Sequence, residues 1–236
     1  MHLNDNKLSG KIPIQLLQVS TLSIILDLSQ NNLFGLLPTE VGDLNMLTIL
    51  DLSDNNLSGA IPISLGDCGS LLALSLKGNL FQGLIPQSLS SLKALVELDI
   101  SHNKLSGQIP RFLQQLKLEH LNLSYNDFED NNLSGAIPIS LGDCGSLLAL
   151  SLKGNLFQGL IPQSLSSLKA LVELDISHNK LSGQIPRFLQ QLKLEHLNLS
   201  YNDFEGETPM VGVFANESAL SVLGNSMLCG GIVELG

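Results

Sequence analysis

Tryptophan is absent from the 236 residues, and with only 8 Phe and 2 Tyr the core is expected to be aliphatic rather than aromatic. Positive charge is scarce: 12 Lys and Arg stand against 22 Asp and Glu, a formal net charge of -10. A surface with that balance does not gather phosphate, which argues against nucleic acid or an anionic membrane as the main partner. No apolar run approaches the roughly 18 residues that a membrane span requires. The opening MHLNDNKLSG contains no apolar leader and reads directly as part of a repeat. Enzyme signatures are missing too, with no phosphate-binding loop, HExxH, GxSxG, CxxC or kinase catalytic loop. No catalytic residue, metal site or cofactor is expected.

What is present is a repeat. Residues 50–65 read LDLSDNNLSGAIPISL, and the pattern LxLxxNxLxGxIPxxL returns along the chain. Its asparagine falls at Asn6, Asn31, Asn55, Asn79, Asn103, Asn126, Asn155, Asn179 and Asn202, with most intervals 23 to 25 residues. Such a period predicts a solenoid. Each coil supplies a short strand such as Leu50–Leu52, a turn at the Asn, and a return through Gly59 and Pro62. Leu47, Leu50, Leu52, Leu57, Ile61 and Leu65 face the coil interior, and one coil cannot close its own two ends. Stacking does that, since each fully buried Leu or Ile contributes about 1.5 to 3 kcal/mol. The repeated Asn carries two donors and an acceptor, enough to bond the backbone of its own and the adjacent coil. Proline lacks an amide donor, so Pro62, Pro86, Pro110, Pro138, Pro162 and Pro186 mark the returns and not the strands.

Residues 54–129 recur without substitution as 130–205. Identity of that kind marks either a very recent duplication or a sequence assembled twice. The two copies are expected to share one conformation, with the join bulging at Asp127–Asn132. Repeats are assigned to 1–205, about nine coils, and an incomplete capping region to 206–236.

These residues carry a resemblance. LSxNxLSGxIPxxLGxLxxL is similar to the plant extracellular type of leucine-rich repeat, and NLSYNDFEGETPMVGVFANESALSVLGNSMLCGGIVEL resembles the end of the ectodomain in plant leucine-rich-repeat receptor-like kinases, nearest the immune-receptor subfamily. The fold implied is a curved horseshoe or superhelix with a parallel sheet on the concave face and irregular or short 3-10 segments on the convex side. In that family a signal peptide and cap precede the repeats, and a membrane span and a serine/threonine kinase follow. None of these is in the chain, so it is expected not to be an enzyme itself. The resemblance implies a place on the extracellular face of the plasma membrane and a co-receptor as second partner.

Cys68 and Cys144 are copies of one position, three coils apart. At about 4.8 Å per strand they stand roughly 14 Å from each other, beyond the roughly 7 Å Cα separation a disulfide spans. In the family the cysteine of the LCGG motif pairs with another a few residues later, but this chain stops at Gly236, so Cys229 is expected unpaired. Asn-x-Ser sequons stand at Asn56, Asn122, Asn132, Asn198 and Asn216 and, with the resemblance, favour a glycosylated surface.

The two-residue period of a strand turns the residues between the leucines outward. The face so formed is Asp27, Ser29 and Gln30; Asp51, Ser53 and Asp54; Ser75 and Lys77; Asp99, Ser101 and His102; Asn122, Ser124 and Tyr125; then Ser151, Lys153, Asp175, His178, Asn198 and Tyr201 from the second copy. His102, His120, His178 and His196 read as solvated repeat positions rather than metal ligands or bases. The aspartates predict a negative potential suited to a basic peptide or protein edge, although Asp and Ser are also common repeat fillers. The leading function is a ligand-recognition segment of a receptor ectodomain in plant defence signalling. The alternatives are a secreted leucine-rich-repeat inhibitor of cell-wall-degrading enzymes and a truncated product without a binding role.

Overall fold

A computed structural model describes residues 1–18, 24–128 and 135–230. They fall into two compact units, Met1–Ser106 with Gln115–Asn126 and Gly107–Gln114 with Asp127–Gly236, each built from the same coil. In the first unit the strands Ile25–Asp27, Ile49–Asp51, Ala73–Ser75, Glu97–Asp99 and His120–Asn122 pair in parallel, and Leu26, Leu50, Leu74, Leu98 and Leu121 lie in one register. In the second, Ala149–Ser151, Glu173–Asp175, His196–Asn198 and Leu220–Ser221 do the same. Each strand lies one residue earlier than the sequence suggests. The carboxylate of Asp51 accepts the Ser53 amide at 2.9 Å, a local turn that ends the strand before Leu52. Leu52 is nonetheless buried and its amide still reaches the next coil, donating to Ser75 O at 2.9 Å.

A second parallel sheet was not expected. The segments Ser9–Gly10, Asn32–Leu36, Asn56–Gly59, Leu80–Gly83 and Lys104–Gly107 form one beside the first. In the second unit Gln158–Gly159, Lys180–Gln184, Asp203–Glu207 and Met227–Cys229 form its counterpart. The residues read as a turn and return therefore bond from coil to coil as well, which satisfies backbone groups that a plain loop would leave to water.

Short 3-10 turns close each coil: Thr39–Asp43, Ile63–Asp67 and Gln87–Ser91, then Ile139–Asp143, Gln163–Ser167 and Arg187–Gln191. A proline in extended conformation stands immediately before each, where its missing amide is not needed. Gly66 shows how tightly these turns stack, since a Cβ there would lie 2.3 Å from Ser88 O of the next coil. The copies agree in the first sheet, with Ala73–Ser75, Glu97–Asp99 and His120–Asn122 answered by Ala149–Ser151, Glu173–Asp175 and His196–Asn198, and differ in strand length in the second, where Leu80–Gly83 is answered by Gln158–Gly159. Of the expected bulge, Asp127–Phe128 is a strand, and the rest, 129–132, lies outside the described residues. No helix among the described residues is long and apolar enough to cross a membrane.

The core is mostly leucine and isoleucine, as expected, with phenylalanine at particular places. Phe81, Phe128, Phe157, Phe204 and Phe214 are among the largest fully buried side chains. Four of them follow a repeat Asn by two residues, at the first buried position beyond the turn, where Leu57, Leu105 and Leu181 serve in other coils.

The asparagines bind coil to coil. Asn79 is buried; its Nδ2 donates to Leu52 O of the preceding coil at 2.9 Å and to Leu76 O and Lys77 O of its own at 3.1 Å, and its Oδ1 accepts from Leu57 N at 3.0 Å. Asn55 and Asn202 repeat the arrangement. So does Asn225, which the sequence reading left inside the capping region: its Nδ2 donates to Leu199 O at 3.1 Å and its Oδ1 accepts from Phe204 N at 3.1 Å. The coil pattern thus continues through the tail. Asn79→Ala should lower stability by about 3 kcal/mol, because it strands a buried amide and carbonyls at roughly 1 to 3 kcal/mol per unsatisfied group. Urea unfolding monitored by circular dichroism measures it, and a loss below about 1 kcal/mol would mean that water replaces the amide.

Candidate functional site: the strand face

The aspartates of the LxL strands hold the backbone in place. Asp27, Asp51, Asp99 and Asp175 are half-buried. In each, Oδ1 accepts the amide of the serine two residues on, at 2.9 to 3.1 Å. Ser29, Ser53 and Ser177 add a hydroxyl donated to the same oxygen at 2.6 to 2.7 Å. Asn122 and Asn198 occupy the same place, and their Oδ1 accepts from Ser124 and Ser200 in the same way. Ser29, Ser53, Ser101 and Ser124, expected on the outward face, are buried. They are drawn inward by the bonds that end the strand.

The residue immediately before each repeat Asn is different. Gln30, Asp54, His102, Tyr125, His178 and Tyr201 have φ between 51° and 54°, and Gly78, Gly154 and Gly224 take the same place with φ of 64° to 75°. A left-handed residue with a side chain is strained by roughly 1 to 2 kcal/mol. Bonds to the next coil hold it there: His102 N donates to Ser124 O at 2.9 Å and Tyr201 N to Leu223 O at 2.7 Å. All six side chains are exposed. Two pairs stack, His102 on Tyr125 with ring centroids 4.3 Å apart and His178 on Tyr201 at 4.4 Å. Beyond Tyr201 the column ends in Gly224, whose missing side chain leaves room for the ring: a Cβ would lie 2.6 Å from Tyr201 Cδ1.

Lys77 and Lys153 are half-buried on the coils that precede these pairs. The sequence reading missed Glu97 and Glu173. Both are exposed on their strands, paired in register with the exposed His120 and His196. The two-residue period that placed Asp99 outward places Glu97 outward as well, so the signal was there. Each unit thus carries Glu, Asp, His, His, Asn and Tyr on one face.

The sequons differ in setting. Asn56 and Asn216 are exposed. Asn122 and Asn198 are half-buried, and each Nδ2 donates to the neighbouring aspartate at 3.2 and 3.3 Å. Asn132 lies outside the described residues.

Leucine-rich-repeat models match residues 69–128, 129–181 and 145–204, and 24–44 and 46–68. The chain belongs to the leucine-rich-repeat family. A probable leucine-rich-repeat receptor-like serine/threonine-protein kinase of Arabidopsis thaliana is 51% identical over 41 residues, 17% of this chain and 4% of that protein. Among solved structures, a plant peptide hormone receptor in complex with its peptide is 30% identical with a TM-score of 0.76, covering 94% of this chain and 39% of that one. The Arabidopsis receptor kinase HAESA, in complex with a peptide hormone and a co-receptor, is 29% identical with a TM-score of 0.62 over 97% of this chain and 45% of that one. A plant ice-binding protein is 27% identical with a TM-score of 0.78, covering 98% of this chain and 81% of that one. The leucine-rich-repeat chain therefore resembles plant receptor ectodomains and spans less than half the length of those receptors.

Among the cysteines of this repeat chain, Cys68 and Cys144 are buried and Cys229 is exposed, all free. Cys68 takes the place that Leu44 and Leu92 hold in other coils, and its thiol donates to Val41 O at 3.1 Å. Burial, with the charge of Asp67 adding to it, pushes the Cys68 thiol up from 9.0 to about 11, and burial with Asp143 does the same for Cys144. The folded state therefore holds its protons more tightly than the unfolded one. That contribution is fully present below about pH 9 and is lost as pH rises through about 11. A thiol reagent at pH 8 should titrate Cys229 alone in the native protein and all three cysteines in guanidinium. Native labelling of Cys68 would show that the coils open readily.

Proposed function

We propose that this chain is a ligand-recognition segment of the extracellular part of a plant receptor-like kinase, taking a peptide or protein of basic character on the face of its LxL strands, in defence signalling at the cell surface with a co-receptor. The observation that carries the reading is the division of labour within a coil. The repeat Asn and the Asp–Ser bonds engage backbone and side-chain polar groups that face inward, while residues such as His102 and Tyr125 before the repeat Asn and the strand residues Glu97 and Glu173 present varied side chains to solvent. Solved neighbours of similar fold are bound to peptides. The net charge of -10 favours a basic partner.

Asp27, Gln30, Asp51, Asp54, Lys77, Asp99, His102, Asn122, Tyr125, Lys153, Asp175, His178, Asn198 and Tyr201 remain the proposed contact residues, with Glu97 and Glu173 added. Asp51→Asn and Asp99→Asn should leave the fold intact, because Asn122 and Asn198 already make the same bonds to serine. Both should weaken a basic peptide severalfold at physiological salt. The binding itself should fall by an order of magnitude or more as the Debye length shrinks from about 8 Å to about 3 Å at 1 M salt. Calorimetric titration at the two ionic strengths decides it; binding indifferent to salt and to both substitutions would move the site off this face.

Glycans are proposed on the exposed Asn56 and Asn216, not on the half-buried Asn122 or Asn198; the Asn56 amide donates to Asn32 Oδ1 at 2.9 Å, but both partners are exposed. Glycopeptide mass spectrometry after expression in a secretory plant host should find the first two occupied. Occupancy at Asn122 would show that its bond to Asp99 forms only after modification.

A second reading, ice recognition, is favoured by the likeness to a plant ice-binding protein over 81% of that chain. A fold shared this widely does not choose between the two. Measurable thermal hysteresis would support ice recognition; its absence leaves peptide recognition.

A further inference from the structure

The part of the recognition surface from Glu97 to Tyr125 occurs twice. Glu97, Asp99, His102, His120, Asn122 and Tyr125 lie in one compact unit, and their copies Glu173, Asp175, His178, His196, Asn198 and Tyr201 lie in the other. Most of the local geometry repeats with the sequence; the exception is that the Ser177 hydroxyl donates to Asp175 Oδ1 at 2.6 Å whereas Ser101 Oγ is buried without a partner. Asn122 Nδ2 donates to Asp99 Oδ2 at 3.2 Å, and Asn198 Nδ2 to Asp175 Oδ2 at 3.3 Å. The ring pairs stack at interplanar angles of 25° and 22°. The serine amide on the aspartate is 2.9 Å in both. Even the flanking positive charge is the same, Lys77 standing one coil before the first set and Lys153 one coil before the second.

Resting on the recognition reading above, we infer that each copy is a complete and equivalent site for an arginine side chain of a peptide ligand, so that one chain holds two such ligands. Glu97 and Asp99 lie two apart on one strand and so on the same side of it, about 6.6 Å apart along the chain. One carboxylate is exposed, and the other has Oδ1 engaged by serine, with Oδ2 turned toward Asn122. Three residues beyond Asp99 and Asn122 on the same two coils stand His102 and Tyr125, whose rings stack, Tyr125 being 40% exposed and its copy Tyr201 52%. A guanidinium suits that combination: it is planar, pairs with carboxylates through a fork of donors, and lies against aromatic rings. An ammonium offers neither the plane nor the fork.

The test is calorimetric titration of the full chain with a capped tetra-arginine peptide, with tetra-lysine as the equal-charge control, on the parent, Glu97→Gln, Glu173→Gln and the double variant. Both substitutions are isosteric and exposed, and circular dichroism with thermal melting confirms that each variant is folded. The expected result is two equivalents of tetra-arginine bound with one affinity and a weaker tetra-lysine. Each single variant should weaken one equivalent about tenfold or more and leave the other unchanged, and the double variant should weaken both. One equivalent sensitive to only one of the two substitutions overturns the equivalence and leaves recognition on this face standing. Equal affinity for tetra-lysine overturns the arginine assignment alone. No binding of either peptide at low salt overturns the basic-ligand reading together with this inference.

Discussion

The bond from a buried asparagine amide to the backbone of the coil before it is the constraint on which this molecule rests. A single coil has leucines on one side and a row of unpaired carbonyl and amide groups on both open edges. The side chain of Asn79 closes its own turn through Leu76 and Lys77 and at the same time reaches back to Leu52 and Leu57, so a turn and an interface are made by one group. Shift the register by one residue and both are lost. That is why the leucines of successive strands align without slippage although each strand is only three residues long.

The remaining features follow from the coil spacing that this bond sets. Stacked turns must approach closely, so Gly66 and Gly142 sit where any side chain would strike the carbonyl of Ser88 or Ser164. Stability in such an assembly is a sum over neighbouring coils rather than a property of one central core. The cysteines show the same economy: Cys68 fills a leucine place and donates a hydrogen bond to a carbonyl of the coil before while keeping its proton, which makes it a small apolar filler and not a reactive thiol.

Much of this was legible in the sequence because the period repeats the same chemistry. LxL, the asparagine and the Ile-Pro step each appear often enough that their common role can be read, and the structure places strand, turn and return where they stand. What escaped reading was carried by the backbone or by short side-chain bonds. The second sheet uses main-chain groups of segments such as Asn56–Gly59, whose side chains give little sign of it. The inward pull on Ser53 comes from a bond to Asp51 that alternation alone does not reveal. Asn225 was passed over because Leu220 and Val222 depart from the LxL spelling, although its interval from Asn202 was in view. The place of Phe81 and its equivalents in that aliphatic core was not specified, although each stands two residues beyond a repeat Asn, where Leu57 stands in another coil.

The left-handed position before each repeat Asn has a further consequence. Gln30, Asp54, His102, Tyr125, His178 and Tyr201 all stand in a conformation that glycine adopts without steric cost, as Gly78 and Gly224 do in the same column. Exchange of any of the six for glycine relieves the steric conflict, offset in part by the greater freedom glycine gives the unfolded chain. Neither the buried asparagine nor the leucines would sense the change. The column is therefore a place where variation is nearly uncoupled from folding: a lineage can rewrite what the surface displays, coil by coil, while the frame beneath stays the same.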